Sequence, residues 1–400
     1  MQFDETSDEA IQIKNEAGIK SFKNPVNVKE FPVYEEGIPQ FSKDLLHICK
    51  NPLSPKTLRV IDPHDLTEHW EKLIRDRSEG GEKERTFFQK AFEPELKSGR
   101  KMFARKLISA RSPECLSSLS QEFPHFERSG IINAFREDLI LSRLSGGGLF
   151  LAPTIMRSEP GFGKNRFVRR VCEVLGIPVF YTFDFSSATA GWGLSGLSSS
   201  WSGSKPGAVF QSLTSTKGVG NPLFFVDEIE KGSSPSNTSR PLDCLHALLE
   251  KESALTFRDE FCPIPLNTSR IIWLAASNSL DNIPQSIISR FRVFDIPSPT
   301  PEEKRGIVKS IWTDLVTQNH WGKHLNPDLS EEVLDIFEND SPRIIQLILR
   351  SSCARALSKS EGKPPKEKIQ LTLKDIVSDR KTHVKKRPVG FHLPTFTNKA

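Results

Sequence analysis

The sequence predicts an α/β fold built on a parallel β-sheet, followed by a small all-α domain. In the middle of the chain, short apolar runs alternate with helical patterns, as crossover connections between parallel strands require. The apolar runs are continuous, which is typical of strands that are covered on both faces. From Pro301 onward the pattern becomes helical throughout. The predicted strands lie within residues 154–157, 177–185, 222–228, 270–278 and 291–296.

The length of 400 residues is sufficient for two or three domains, each with its own core. Helical periodicity improves after about residue 83, and we expect a largely helical N-terminal region ahead of the sheet. The predicted divisions are an N-terminal region without an assigned function (1–83), a helical neck (84–150), an α/β core (151–299), a helical lid (300–380) and a basic tail (381–400).

Composition excludes several classes of protein. Hydrophobic residues make up 36% and charged residues 26% of the chain, and no run of about 18 apolar residues predicts a membrane-spanning helix. The first residues are acidic and polar, unlike a secretory signal, so we expect a cytoplasmic protein without a membrane partner. The six cysteines are far apart, with no C-x-x-C pair and no His at metal-ligand spacing, which indicates reduced thiols rather than a zinc site or disulfides.

The net charge of +5 is unevenly distributed. Residues 359–400 contain eleven Lys or Arg and four Asp or Glu, which gives this segment +7 and leaves residues 1–358 at −2. Such a tail can bind nucleic acid or an acidic protein surface. A solvated C-terminus is the favoured interpretation, and nucleic acid is the least favoured partner.

The turn SEPGFGKN after the first predicted strand has the features of a phosphate-binding loop. Such a loop needs converging backbone N–H groups, Gly where the chain passes close to the anion, a Lys and a helix N-terminus. Gly161, Gly163 and Lys164 meet these needs. The usual pattern G-x-x-x-x-G-K-[ST] is changed at both ends, where Ser158 replaces the first Gly and Asn165 replaces the Mg²⁺-binding hydroxyl. On this motif alone, a turn without a chemical role is an equal alternative.

Polar residues follow two of the later strands. Asp227 and Glu228 end the run FFVDE, and Asn278 ends the run WLAASN. Ligands of open α/β sheets bind at the carboxyl ends of the strands. There, Asp227 would hold Mg²⁺, Glu228 would polarise the attacking water and Asn278 would orient it. The alternative is a strand end capped by solvated carboxylates.

Two arginines occur at positions suited to phosphate. Arg290 precedes the last predicted strand, and Arg343 begins a helix of the predicted lid. A guanidinium binds phosphate oxygens in a bidentate manner and stabilises the transferring group. The alternative for each is a solvated surface charge.

In this order the motifs resemble those of AAA+ ATPases, and within them the ATPase module of Lon-type proteases. The resemblance extends from Ala152 to Leu357 and is densest in WSGSKPGAVFQSLTSTKGVGNPLFFVDEIEK and WLAASNSLDNIPQSIISRFRV. It implies a P-loop AAA+ sheet flanked by helices, an all-α lid, and ATP and Mg²⁺ as cofactors. The site residues that it implies are Glu159, Pro160, Gly161, Phe162, Gly163, Lys164, Asn165 and Arg166 for the nucleotide, Asn165 and Asp227 for the metal, and Glu228, Asn278, Arg290 and Arg343 for catalysis.

The resemblance also implies a substrate-gripping loop. Twelve of the nineteen residues from 186 to 204 are Ser or Gly, which predicts a mobile loop. The family places there an aromatic residue followed two positions later by Gly, a pattern that Trp201, Ser202 and Gly203 match. Trp192 is a second candidate. A packed Trp is the alternative for both.

The leading hypothesis is a ring-forming ATPase, usually a homohexamer in this family, that remodels or unfolds a polypeptide partner. Only 57 residues follow Arg343, so we expect no peptidase activity from this chain. The alternative is a nucleotide-binding switch or scaffold with weak or no hydrolysis, because the amide of Asn165 is bulkier than a hydroxyl and presents N–H groups that a cation repels.

Overall fold

The computed structural model describes residues 54–98, 103–178, 180–187, 190–215, 218–233, 241–338, 340–358 and 367–376. The predicted basic tail and the first 53 residues of the unassigned N-terminal region lie outside these ranges. The N-terminal elements are β1 (Thr57–Arg59), α1 (Pro63–Arg75), α2 (Glu79–Ser98), β2 (Ala104–Lys106), α3 (Ser117–Glu122), α4 (Pro124–Arg128) and α5 (Ile131–Ser145).

The segment expected as a helical neck contains more than helices. Strand β2 pairs antiparallel with β1, with Leu58 opposite Arg105. The helices also pack on the sheet, since Phe88 belongs to the core on one sheet face and Phe135 and Leu139 belong to the core on the other. The apolar faces of these helices are therefore buried by the sheet as well as by one another, as the stacking of Trp70 on Phe88 shows.

The elements that form and flank the sheet follow in chain order. They are β3 (Thr154–Arg157), α6 (Lys164–Leu175), β4 (Phe180–Asp184), α7 (Ala190–Ser195), α8 (Ala208–Thr214), β5 (Leu223–Asp227), α9 (Pro241–Leu249), α10 (Lys251–Ala254), β6 (Phe257–Arg258), β7 (Pro265–Leu266), β8 (Ile272–Ser277), α11 (Gln285–Ile288) and β9 (Arg292–Asp295). Among the described residues, β4, β5, β8, β3 and β9 form in that order one sheet in which every neighbouring pair is parallel. The predicted α/β class is confirmed.

The sheet is covered on both faces, which explains its continuous apolar strands. Side chains alternate along β5, so that Phe224 and Val226 enter one core while Leu223 and Phe225 enter the other. All six residues of β8 are buried. In a strand with one solvent-exposed face, polar residues would interrupt these apolar runs.

The helical part that follows contains α12 (Pro301–Gln318), α13 (Glu331–Asp335) and α14 (Pro342–Ser358). Helix α12 starts with a capping box: the Thr300 side chain accepts from the Glu303 N–H, and the Glu303 carboxylate accepts from the Thr300 N–H. Trp312 and Phe337 are buried in the core of this part. The predicted helical segments after Pro301 are therefore present.

The described chain divides into two compact units. We call the first the sheet unit, which runs to Pro160 and from Lys164 to Pro297, and the second the helical unit, which contains Gly161–Gly163 and the residues from Ser298 onward. No helix within the described ranges combines the length and the apolar character needed to cross a membrane.

Candidate functional site

The turn between β3 and α6 has a backbone that requires glycine. Gly161 and Gly163 have φ angles of +93° and +86°, in the left-handed region that side chains disfavour. Helix α6 begins at Lys164, and its face with Phe167 and Val171 is buried. The apolar face fixes the start of the helix, so that its first N–H groups follow directly on the glycine turn.

Lys164 is held by the ends of two neighbouring strands. Its ammonium donates to the Ser158 carbonyl at 2.8 Å and hydroxyl at 3.0 Å, to the Ser277 carbonyl at 3.2 Å and to Asn278 Oδ1 at 3.1 Å. Burial lowers the pKa of Lys164 below its usual value, against the opposing attraction of Asp227. Ser158, at the changed first position of the motif, thus supplies two of the oxygens that position the lysine.

The carboxyl end of β5 carries the acidic pair. The Asn165 side-chain amide donates to Asp227 Oδ2 at 2.8 Å, and the Glu228 N–H donates to Asp227 Oδ1 at 3.0 Å. Glu228 has a φ of +52°, a strained value for a non-glycine residue that often marks functional sites. Its carboxylate also pairs with Lys231 at 2.5 Å. Asp227 and Glu228 are only partly buried, so a ligand has access to them.

Glu230 is a site residue that the sequence reasoning missed. Its Oε2 accepts from the Ser277 hydroxyl at 2.9 Å, and its Oε1 accepts from the Asn278 backbone N–H at 3.2 Å and side-chain amide at 3.1 Å. These bonds turn the Asn278 oxygen toward Lys164. The sequence signal for Glu230 was its position two residues after Glu228. Its hydrogen-bond partners lie at the end of a different strand, so the local sequence does not reveal them.

The three arginines lie in different surroundings. Arg290 forms an ion pair with Glu250 at 2.6 Å, and Arg343 is exposed in the first turn of α14. Arg166 was expected to contact the nucleotide, but its guanidinium pairs with Glu122 at 3.0 Å and lies over the Phe123 ring. This pair joins α6 to α3, because Arg166 lies on the side of α6 that packs against α3. The contact of Arg166 with the nucleotide stays a prediction.

The Ser- and Gly-rich segment is only partly a loop. Helix α7 forms within it because Leu194 is buried in the core, so the prediction of one mobile loop from 186 to 204 was wrong at this point. Trp192 lies on α7 and is half-buried, whereas Trp201 is 64% exposed and is followed by exposed Ser202 and Gly203. An exposed Trp has little packing role and is available to a partner.

An open cleft of about 410 Å³ is lined by Ser158 and Asn278, two of the residues that contact Lys164. It lies at the carboxyl ends of β3, β8 and β9, where open sheets bind ligands. The neighbouring donor set suits a magnesium nucleotide, since it combines a lysine ammonium with carboxylate and amide oxygens. The cleft is lined by Arg157, Ser158, Glu159, Asn278, Ser279, Leu280, Asp281, Asp295 and Ile296.

Comparison with known proteins relates about half of the chain to known ATPases and proteases. The model of the AAA family, the ATPase family associated with various cellular activities, matches residues 155–297. The Lon protease of Mycoplasma mycoides subsp. mycoides SC is 28% identical over 200 residues, which are 50% of this chain and 24% of that protein. The peroxisomal Lon protease homolog 2 of Spinacia oleracea is 29% identical over 201 residues, which are 50% of this chain and 22% of that protein.

Among solved structures, the closed-state cryo-EM reconstruction of Hsp104 with ATPyS and FITC casein has a TM-score of 0.49 and 17% identity, and covers 62% of this chain and 48% of that one. The matched part of the chain spans about a quarter of the length of the two Lon relatives. The predicted resemblance is confirmed: the AAA family model matches residues 155–297, and about half of the chain is similar to Lon proteases.

Proposed function

We propose that this chain, with its Lon-like AAA module, hydrolyses ATP and uses the energy to remodel or unfold a protein partner. The single observation that carries the proposal is that the start of α6 meets the carboxyl ends of β5 and β8: Lys164 contacts Asn278, and Asn165 contacts Asp227. Lysine, carboxylate and carboxamide in this arrangement suit phosphoryl transfer, in which positioning and charge stabilisation provide most of the catalysis. A structural cluster without a ligand would not need the strained Glu228 beside it.

Each group has a distinct role. Lys164 and the N–H groups of the glycine turn hold the phosphates, and Asp227 and the Asn165 oxygen hold Mg²⁺. Mg²⁺ bound by these residues would supply positive charge to neutralise the phosphates. Glu228 polarises the attacking water, which Asn278 orients while Glu230 fixes its amide.

The two arginines complete the proposed site. A guanidinium stabilises the charge that develops on the transferring phosphoryl group. We assign Arg290 to the site of an adjacent subunit in a homo-oligomeric ring. The measurement that checks this is the size of the assembly formed by wild type and by Arg290→Ala, with and without ATP and Mg²⁺. Arg343 is assigned to the nucleotide from the lid. A hexamer is the expected size of the ring.

The first test is the Lys164→Ala variant. We expect ATP turnover to fall by about 100-fold or more, because a partly buried cation is removed from the phosphates. Steady-state release of phosphate, measured with MgATP, checks this. Lys251→Ala serves as the control, since Lys251 is exposed on α10 and should leave turnover unchanged. Wild-type turnover in Lys164→Ala would contradict the proposed mechanism.

Trp201 tests the mechanical part of the proposal. We expect Trp201→Ala to slow the ATP-driven unfolding of a probe protein with an unstructured tail by roughly 10-fold or more, because an exposed aromatic anchor is lost. Basal ATP turnover should stay within about twofold, because Trp201 does not belong to the proposed phosphate site. Trp201→Tyr should restore most of the unfolding rate, and equal loss in both variants would exclude an aromatic grip.

A second candidate function, a nucleotide-binding switch, is favoured by one contact. The Asn165 amide donates to the Asp227 oxygen that would otherwise face the hydration shell of Mg²⁺. We expect Asn165→Thr to change turnover by less than about threefold if Asn already suffices. A rise of about tenfold or more, in the same phosphate-release assay, would support the switch instead. Asn133→Thr, at an exposed position of α5, is the control.

The remaining expectations stay predictions. They are a cytoplasmic location, the absence of proteolysis by this chain and the low rank of nucleic acid as a partner. Incubation of the chain with casein and ATP tests proteolysis, and the appearance of acid-soluble fragments would contradict that expectation.

A further inference from the structure

A second cluster of chemically active side chains lies away from the phosphate-binding loop. His69 of α1, Glu84 of α2 and Cys262, in the turn between β6 and β7, each direct one ligand atom to a common point. These three atoms lie within 4.8 Å of one another, and His69 Nε2 is 2.6 Å from Glu84 Oε1. Cys262 is fully buried, and Glu84 is only 6% exposed. A thiol, a carboxyl and an imidazole thus meet inside the sheet unit.

The backbone around Cys262 is held in place from two sides. Buried Asp259 accepts hydrogen bonds from the N–H groups of Gly207 at 2.8 Å, Phe261 at 2.9 Å and Cys262 at 3.3 Å. Phe87 of α2 packs edge-on against the Phe261 ring at 5.2 Å. The thiol is therefore fixed relative to the helix that carries Glu84, as a preformed ligand site requires.

We propose that His69, Glu84 and Cys262 bind a zinc ion. Nitrogen, oxygen and thiolate sulfur are the donors that zinc takes in proteins, whereas magnesium and calcium prefer oxygen alone. With bond lengths of about 2.0–2.3 Å, tetrahedral ligands lie about 3.3–3.7 Å apart. The thiol lies no more than 4.8 Å from the other two ligand atoms, and the imidazole and carboxyl need to separate by about 0.7 Å.

Charge balance supports a divalent ion at this buried place. One thiolate and one carboxylate neutralise Zn²⁺, and the imidazole binds as the neutral form, so the complex buries no net charge. The His69 side chain is 14% exposed, which leaves water a path to the fourth position. Zinc sites with three protein ligands bind water in this way.

The proposed ion would join three separate parts of the sheet unit. It links α1 and α2 to the β6–β7 turn, elements that belong to different stretches of the chain. The site shares no residue with the phosphate-binding loop, so the zinc proposal does not depend on the proposed ATPase function. Its expected effect is on the stability of the folded sheet unit.

The test uses the full chain, purified without chelators and supplied with zinc. We expect about one equivalent of bound zinc per chain by mass spectrometry of the metal, and less than roughly a tenth of that in Cys262→Ala and in His69→Ala. Cys172→Ala, which removes another buried thiol, should keep the full zinc content. Chelation should lower the midpoint of thermal unfolding of wild type and Cys172→Ala by about 5 °C or more, but not that of His69→Ala.

Cobalt provides a readout that does not depend on the variants. Co²⁺ added to the metal-free wild type should give the absorption band of a thiolate-to-cobalt charge transfer, since Cys262 would be a direct ligand. Absence of zinc from the folded wild type at a micromolar excess of the ion, together with absence of the cobalt band, would overturn the proposal. The cluster would then be a hydrogen-bonded His, Glu and Cys triad only. Full zinc content in both ligand variants would overturn it equally.

Discussion

Replacing Glu228 with Gln is expected to lower ATP turnover by about 100-fold or more while ATP still binds. Glutamine keeps the shape of the side chain but cannot accept a proton from the attacking water. The substitution leaves Lys164 unchanged for the phosphates, and it keeps Asp227 in place for the metal because the bond from the residue-228 N–H to Asp227 comes from the backbone. Single-turnover hydrolysis, together with binding of a fluorescent ATP analogue, separates these two effects.

The matched control for this variant is Glu252→Gln, which removes an exposed carboxylate on α10. Turnover of the control should equal that of wild type. A Glu228→Gln variant that hydrolyses ATP at the wild-type rate would exclude Glu228 as the group that activates water. A variant that no longer binds ATP would instead assign Glu228 a structural role, supported by its strained backbone.

Truncating Phe167 should cost about 3–5 kcal/mol in the free energy of unfolding of the sheet unit. The ring is fully buried and stacks on Phe126 with centroids 4.1 Å apart, edge-on to Phe123 at 5.4 Å and near Phe135 at 6.4 Å. Removal leaves a cavity that three aromatic neighbours line and that rigid helices cannot fully close. Urea denaturation followed by circular dichroism measures the loss.

Leu144→Ala is the control for this truncation, because Leu144 is 81% exposed at the end of α5. Its expected change in unfolding free energy is within about 0.5 kcal/mol. Phe167→Leu, which keeps most of the volume, should lose less than Phe167→Ala. Equal stability of wild type and Phe167→Ala would show that α6 is not held by this aromatic cluster.

The strands of the sheet could be predicted because each is a continuous apolar run with polar ends. The predicted segments 154–157 and 291–296 contain β3 and β9, and the boundaries differ by no more than one residue at each end. The run at 177–185 was longer than β4, because Ile177 and Phe185 are buried outside the paired strand. Burial, rather than strand pairing, produces the apolar pattern, so pattern alone overextends a strand.

Contacts between side chains that are far apart in the sequence could not be predicted from the sequence. Arg166 follows Lys164 by two positions, yet its partner Glu122 lies on another helix. Glu230 acts on Asn278, a partner 48 positions away. The zinc ligands proposed above follow no metal-binding spacing because the fold, not the local chain, brings them together. Such partners become visible only when the packing of the elements is known.

The position of β3 has a consequence for the order of folding. This strand lies between β8 and β9, and the paired side chains of Arg157 and Asp295 are 138 positions apart in the chain. Of the five strands in this sheet, β3 is synthesised first. It has no neighbouring strand on either side until synthesis has passed residue 272, where its neighbour β8 begins. Its second edge stays open until residue 295 follows. Nascent chains that end before β8 should therefore expose both edges of β3 and depend on chaperones, and this late closure makes the sheet slow to form.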